Sequence, residues 1–311
     1  MSAVAAGGGL PESFELIRRE RTILAIRRAC RDRLLAWGIL DLEGLLASST
    51  GAIRRRTGRA DHASLEGPAT GDGERRRVFV RQYRHGGLFG GILRGAFLGG
   101  DRPCREIVVS EAARTGGIPT PEVLACVGRR GRVFQRWSIV QEELEDCADL
   151  VEIFLAQRTP LDREQAVRRV RILEATARTI RRMHDVGIYH ADLHVKNVMI
   201  SRSGGDERPI LVDFDKSTVE AGSLRREARE RNLIRFDRSM AKLNRRGAEL
   251  TAADRWRFFR AYDEEAPLDP LARRALASRR HRALRWHEAN WRLAAWVRGG
   301  RSAKSRGGSE R

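Results

Sequence analysis

Lysine is almost missing from this chain. Only four occur in 311 residues (Lys196, Lys216, Lys242 and Lys304), although Lys and Arg together number 60 and the net charge is +19. The positive charge is therefore carried by arginine, which stays protonated and forks around carboxylates and phosphates. Long apolar runs are absent as well: no stretch of about 18 apolar residues is available to span a bilayer. Met1–Leu10 is small and uncharged, with no basic segment followed by an apolar one, which argues against secretion. The four cysteines, Cys30, Cys104, Cys126 and Cys147, are far apart and form no CxxC pair. They read as reduced thiols in a cytosolic protein, not as a disulfide framework or a zinc site. Aromatic residues are 6% of the chain, and the basic tail Gly299–Arg311 has none. Base stacking needs aromatics interleaved with cations, so nucleic acid is not the expected partner. The charge suits phospholipid headgroups or a phosphorylated glycolipid, or merely decorates a solvated surface.

What is present suffices for one two-lobed domain or two small ones. Residues 1–11 read as a disordered Gly/Ala-rich start, and Glu12–Ala47 as an arginine-rich helical pattern. That helix would dock through Ile17, Leu24, Ile26, Leu34 and Leu35, or lie on a membrane. Arg77–Tyr83 alternates as a half-buried strand after the turn Gly67–Gly73. Arg84–Gly100 is a glycine-rich loop or short helix, and Cys104–Thr115 reads as a helix ended by Gly116 and Gly117. Val133–Gln141 is a further strand. Asp162–Val186 is the clearest helix, with Ala166, Val170, Leu173, Ala177, Ile180 and Met183 on one face. Two short strands, Val198–Ile200 and Ile210–Val212, precede a helical remainder to about Arg298. This order predicts an α+β, bilobal, protein-kinase-like fold with a small β-rich N-lobe and a larger helical C-lobe. The expected organisation is a partly helical N-terminal extension (1–55), N-lobe (56–142), C-lobe (143–298) and disordered basic tail (299–311).

The chemistry sits in Tyr189–Ile200, YHADLHVKNVMI, and in Val212-Asp213-Phe214-Asp215 beyond it. His190, Asp192 and Asn197 match an H-x-D-x-x-x-x-N loop, and Asp213 supplies the later acid. Phosphoryl transfer is mostly positioning and charge neutralisation, so acids and an amide must converge on nucleophile and metal. Asp192 is the candidate catalytic residue, accepting or orienting the proton of an attacking hydroxyl. Asn197 and Asp213 are the candidate Mg²⁺ ligands, with His190 packing the loop. For the ATP phosphates the strand lysine of kinases is replaced by Arg81 in Val78-Phe79-Val80-Arg81, with Arg84 in reserve. Glu106 is the candidate helix acid and Glu111 the second choice. No G-x-G-x-x-G precedes the strand; Thr57-Gly58-Arg59-Ala60 is the only candidate covering loop, with Gly58 at the nucleotide. Asp215 would touch metal or substrate, or pair with Lys216 or an arginine. His194 and Lys196 are candidates for the transferring phosphate, or plain loop residues.

Several of these segments together resemble one family, the Kdo (3-deoxy-D-manno-octulosonic acid) and lipopolysaccharide core kinases. Arg81-Gln82-Tyr83-Arg84-His85-Gly86-Gly87-Leu88 is similar to its R-x-Y-R-x-G-G-L segment. Arg105-Glu106 leading to Gly117-Ile118-Pro119-Thr120-Pro121, His190-Ala191-Asp192-Leu193 and Asp213-Phe214-Asp215-Lys216 resemble three further motifs. Arg231-Asn232-Leu233-Ile234-Arg235 through Arg238-Ser239 is similar to its N-L-x-R-x-x-R-S helix. The likeness spans roughly residues 56–245; the ends match less clearly. It implies ATP- and Mg²⁺-dependent phosphorylation of a sugar hydroxyl on the lipopolysaccharide inner core. It also implies a lipid A glycolipid substrate and a peripheral place on the anionic cytoplasmic face of the inner membrane. Two other readings stand beside it: a phosphotransferase for a soluble small molecule or protein, and an inactive pseudokinase binding anionic partners. No A-P-E-like anchor follows Asp213, which disfavours a peptide acceptor.

Overall fold

The computed structural model describes residues 9–48, 62–69, 75–83, 96–97, 102–130, 135–157, 160–202 and 207–263. The candidate covering loop with Gly58, the reserve cation Arg84, the helical remainder past Asp263 and the basic tail lie outside them.

The described chain opens with a hairpin, β1 (Phe14–Arg19) and β2 (Thr22–Arg27), followed by helices α1 (Arg31–Ala36) and α2 (Leu42–Ser48). The helical reading of Glu12–Ala47 is thus corrected over its first half. In β2, Leu24 and Ile26 pack on one side with Val78, Val80 and Val140, while Ala25 joins Ile107, Val123 and Ile139 on the other. A strand buried on both faces reads as a short apolar run, which periodicity cannot tell from a buried helical turn. The turn is equally silent, because Glu20 takes φ 44° where glycine or asparagine is usual.

β3 (His62–Ala69), β4 (Arg75–Gln82) and short β5 (Ala96–Phe97) lead to α3 (Arg102–Thr115), then β6 (Val123–Arg130) and β7 (Gln135–Glu142). These strands form one antiparallel sheet in the order β1-β2-β6-β7-β4-β3, with β5 on β7. The hairpin extends the sheet beyond β6 and is tied to α3 by one side chain. Arg27 donates to the Val123 carbonyl at 2.9 Å, pairs with Glu111, and lies 3.2 Å from Glu122. One sheet face carries the Ile107 side of α3; the other is covered by Leu34, Ile39 and Leu42.

The second part holds β8 (Cys147–Asp149), α4 (Leu150–Leu155), α5 (Arg163–Asp185), β9 (Ile188–Tyr189), β10 (Val198–Ser201), β11 (Arg208–Leu211) and β12 (Thr218–Val219). Helices α6 (Arg226–Asn244) and α7 (Ala252–Asp263) complete it. α5 is the helix expected over Asp162–Val186: the Asp162 carboxylate caps it by accepting from the Gln165 N–H at 2.7 Å. Its Leu173, Ala177, Ile180 and Met183 are fully buried against Phe236, Met240 and Phe258. Gly187 stops it with φ 86°, and a Cβ there would lie 2.2 Å from the Gly222 carbonyl oxygen. Only glycine lets the chain turn so tightly into β9 and the loop after it. A β-rich first part carrying α3, followed by a helical part with small β inserts, is the expected α+β, kinase-like arrangement.

Candidate active site

Arg81 stands near the end of β4, on a strand whose Val78 and Val80 are buried. Its guanidinium lies 2.5 Å from Glu106 on α3 and 2.9 Å from the Asp213 carboxylate in the second part of the chain. The Tyr83 hydroxyl donates to the other oxygen of Glu106 at 2.5 Å, and the Arg81 cation sits 5.1 Å from the Tyr83 ring centre. Burial pushes the Glu106 carboxyl up, and Arg81 holds it part of the way down. Burial pulls Arg81 down, but the facing Glu106 and Asp213 outweigh it and hold the guanidinium above its ordinary value. Glu111, the second choice for this partner, is engaged elsewhere, by Arg27 and by a 2.8 Å bond from the Ser13 hydroxyl.

Asp213 has φ 65°, a conformation uncommon outside glycine, asparagine and aspartate. Its Oδ1 is buried and receives no well-directed hydrogen bond, although Arg81 is 2.9 Å away. A charged oxygen left so is suited to a cation. Asn197 spends its amide N–H on the Asp192 carbonyl at 2.9 Å, which leaves the side-chain oxygen as the atom that could ligate a metal. Mg²⁺ takes one or two protein carboxylates and completes its shell with phosphates and water, so this sparse donor set fits it. Among the described residues no cluster of three or more His, Cys, Asp or Glu could hold a metal alone.

The loop bearing Asp192 is laced to its surroundings through backbone groups. His190 is buried and neutral, pushed down to about 4 by desolvation. Its partners assign the tautomer: Nε2–H donates to the Val212 carbonyl at 3.1 Å, and Nδ1 accepts from the Asp192 N–H at 3.2 Å. The Asn232 amide donates to the His190 carbonyl at 2.7 Å, and its oxygen accepts from the His190 N–H at 3.1 Å. The same oxygen faces Nε2 of buried His184 at 3.1 Å, whose Nδ1 is 2.7 Å from the Tyr262 hydroxyl. Ser217 accepts from the Ala191 N–H and Ser239 from the Val195 N–H, both at 3.1 Å.

The Asp192 carboxylate itself is over half exposed, with Arg235 3.1 Å from one oxygen and His194 3.4 Å from the other. Its pKa is lowered, first by the hydrogen bond from His194, which outweighs the opposing cost of burial, and further by the charge of that ring and of Arg235. It is ionised at neutral pH and open to solvent, as a proton acceptor must be.

Arg81 thus contacts both Glu106 and Asp213, and Asn197 binds the backbone of Asp192. Gly58 lies outside the described residues. Sequence reasoning about chemistry passed over Asn232, Arg235 and Ser239, although the signal existed. On α6 they are three and four residues apart, so polar groups line one helical face, which here presses on the loop. Tyr83 was likewise passed over. It follows Arg81 by two, one residue past the end of β4, where its N–H still bonds the Trp137 carbonyl and so keeps it on the side of Arg81.

Comparison with known proteins agrees with this geometry. The model of the lipopolysaccharide kinase (Kdo/WaaP) family matches residues 58–262. A 3-deoxy-D-manno-octulosonic acid kinase of Photobacterium profundum is 30% identical over 177 residues, 55% of this chain and 67% of that protein. The enzyme of the same name from Xanthomonas campestris pv. campestris is 31% identical over 189 residues, 59% of this chain and 70% of its own. The chain thus spans about two thirds of the length of these curated relatives. A solved structure of WaaP in complex with acyl carrier protein superposes with a TM-score of 0.55 at 21% identity, covering 86% of this chain and 97% of that one. That likeness establishes the fold. With the family match covering about two thirds of its length, the chain belongs to the lipopolysaccharide kinase (Kdo/WaaP) family of sugar kinases.

Proposed function

We propose that the chain transfers the γ-phosphate of ATP to a sugar hydroxyl of the lipopolysaccharide inner core, on Kdo or heptose attached to lipid A. The observation that carries the reading is Asp192, held ionised and solvent-facing on the loop whose other end leads to the Arg81–Asp213 contact. Asp192 accepts the acceptor hydroxyl's proton as the oxygen attacks. His194 and Arg235 aim its two oxygens and disfavour protonation before attack. Bound Mg²⁺-ATP supplies the phosphoryl group and the counter-charge for its transfer. Asp213 and the side-chain oxygen of Asn197 would hold the metal. Arg81, braced by Glu106 and Tyr83, would clamp phosphate in the place of the usual lysine. Asp215 lies close enough to add to the negative field felt by Arg81.

The family relatives are named as Kdo kinases, which favours a glycolipid over a soluble acceptor and activity over a dead scaffold. The net charge of +19 suits peripheral attachment to the anionic inner face of the inner membrane. Among the described residues no helix is long and apolar enough to cross a membrane.

The test is transfer of radiolabelled phosphate from ATP to Kdo-lipid A, to free sugars and to a generic protein. Label should appear on the glycolipid, and Asp192→Asn should slow transfer by about 10³-fold, within the range for loss of a general base. Label confined to protein, or transfer undiminished in Asp192→Asn, would defeat the assignment.

A further inference from the structure

Beside the catalytic loop, on the side of α6 and α4, lies a second concavity of about 440 Å³. Its basic side chains come from separate segments: His194 and Lys196 from the loop, Lys242 from the last turn of α6, and Arg245 and Arg246 just beyond. Buried Val151, Val195 and Leu243 line it between them, and among the described residues no carboxylate does. The contrast with the larger groove beside Gly117–Pro121 is informative. That groove, about 920 Å³, sets Glu142 and Glu207 among its arginines and so offsets part of its own charge.

Cations at a helix C-terminus complement the helix dipole, and this accounts for Lys242 and Arg245. It does not account for Lys196, which reaches the same concavity from a different element. Two of only four lysines in the chain meet here, although arginine supplies nearly all other positive charge. Lysine is a compact, mobile point charge, which suits a phosphate approached from several directions. Lys196, Lys242 and Arg246, whose side chains make no ion pair among the described residues, match a group carrying nearly two negative charges better than a single carboxylate. His194 links the concavity to the chemistry, because it lines the wall and also contacts Asp192 at 3.4 Å.

We infer that this concavity is the acceptor's phosphate subsite: Lys196, Lys242 and Arg246 hold a phosphate that the amphiphilic acceptor already carries, while its hydroxyl meets Asp192. The inference rests on the glycolipid-kinase reading and adds to it the recognised group and the residues that recognise it. It makes existing phosphorylation of the acceptor a requirement, so a phosphorylating reaction must act on that lipid first.

The test is direct binding, without ATP, of the full chain and of Lys242→Glu/Arg246→Glu, with Lys242→Gln/Arg246→Gln as a milder second variant. The probes are micelles of phosphorylated Kdo-lipid A, micelles of the same lipid stripped of its phosphates, phosphatidylglycerol vesicles and inorganic phosphate. Circular dichroism and thermal melting check that each variant is folded. Wild type should prefer the phosphorylated lipid, and both variants should lose that preference, the reversal by at least about 10-fold, as expected for removing two cations near an anionic surface. Unchanged binding in both variants, equal binding of the stripped lipid, or equal variant-sensitive binding of phosphatidylglycerol would overturn the inference. Transfer kinetics separate it from the reading beneath it. If wild type phosphorylates Kdo-lipid A and the Gln variant keeps the acceptor KM, the subsite fails while the kinase stands. If wild type labels no glycolipid but keeps the variant-sensitive lipid preference, the subsite stands and the acceptor assignment fails.

Discussion

Two arginine–carboxylate contacts frame the site, and they are built for opposite purposes. Arg81 and Glu106 are almost wholly enclosed, their side chains 14% and 1% exposed. Arg235 and Asp192 stand in solvent at 47% and 55%. In the enclosed pair, desolvation is paid for by two carboxylates around one cation and by the Tyr83 hydroxyl, so removing Arg81 leaves buried Glu106 without its counter-charge. In the open pair, water screens the attraction and either partner can be lost cheaply. The first pair therefore fixes the geometry between sheet and α3. The second leaves the Asp192 carboxylate free to change partners during a reaction.

The largest effect expected from this contrast is on stability, at the enclosed pair. Arg81→Ala should cost about 3–5 kcal/mol, because Glu106 stays buried without its cation. Arg81→Ala/Glu106→Gln should recover part of that loss, since a neutral amide needs no counter-charge. Denaturant midpoints measure both, and a single variant no less stable than the double would break the distinction.

Next in size is acid sensitivity, set by the buried histidines that hold the open pair's loop. His190 and His184 are pushed down to about 4 and about 3 by burial, from an ordinary value of 6.5. The unfolded chain therefore takes up protons below pH 6.5 that the folded chain refuses. Their contribution is complete above pH 6.5 and lost as pH falls toward 4 and then 3. Two such groups give a slope of up to about 3 kcal/mol per pH unit between roughly pH 6 and 4. Urea unfolding across that window should show it, and His184→Gln should flatten it by about half. A slope unchanged in that variant would mean that other groups govern acid unfolding.

The smallest effect should come from the open pair. Arg235→Ala should change stability by less than about 1 kcal/mol, yet shift the acid limb of the pH–rate profile upward. The shift should be small, because the His194 hydrogen bond is the largest cause of the low Asp192 pKa and Arg235 is a lesser one. His194→Ala should shift that limb further than Arg235→Ala. The reverse order would show that Arg235 is the main support of the carboxylate.

Legibility in the sequence followed the range of the interactions. Helix α5 was plain, because Leu173, Ala177, Ile180 and Met183 repeat with the helical period and Asp162 caps the start. The loop acids were plain because phosphoryl transfer needs a fixed spacing within one short segment. The hairpin β1–β2 was not, since Leu24, Ala25 and Ile26 are buried on both sides, largely by strands and a helix far along the chain such as those bearing Val78, Ile107 and Val140. The supporting face of α6 was half visible: the spacing of Asn232, Arg235 and Ser239 was present, but nothing local said what that face would meet.

The sequence by itself determined the reaction class and put forward Asp192 as its candidate acid, together with Arg81, with Arg84 in reserve, as the cation where a kinase strand supplies a lysine. Those follow from residue identity and short spacing, which survive without knowledge of the fold. The tertiary structure alone decided that Glu106 and not Glu111 faces Arg81, because the hairpin's Arg27 claims Glu111. It also decided that α6 steadies the catalytic loop and that Lys196 meets Lys242 in one concavity. Such partnerships join residues distant in the chain, and pairing across space is set by packing, which no local spacing encodes.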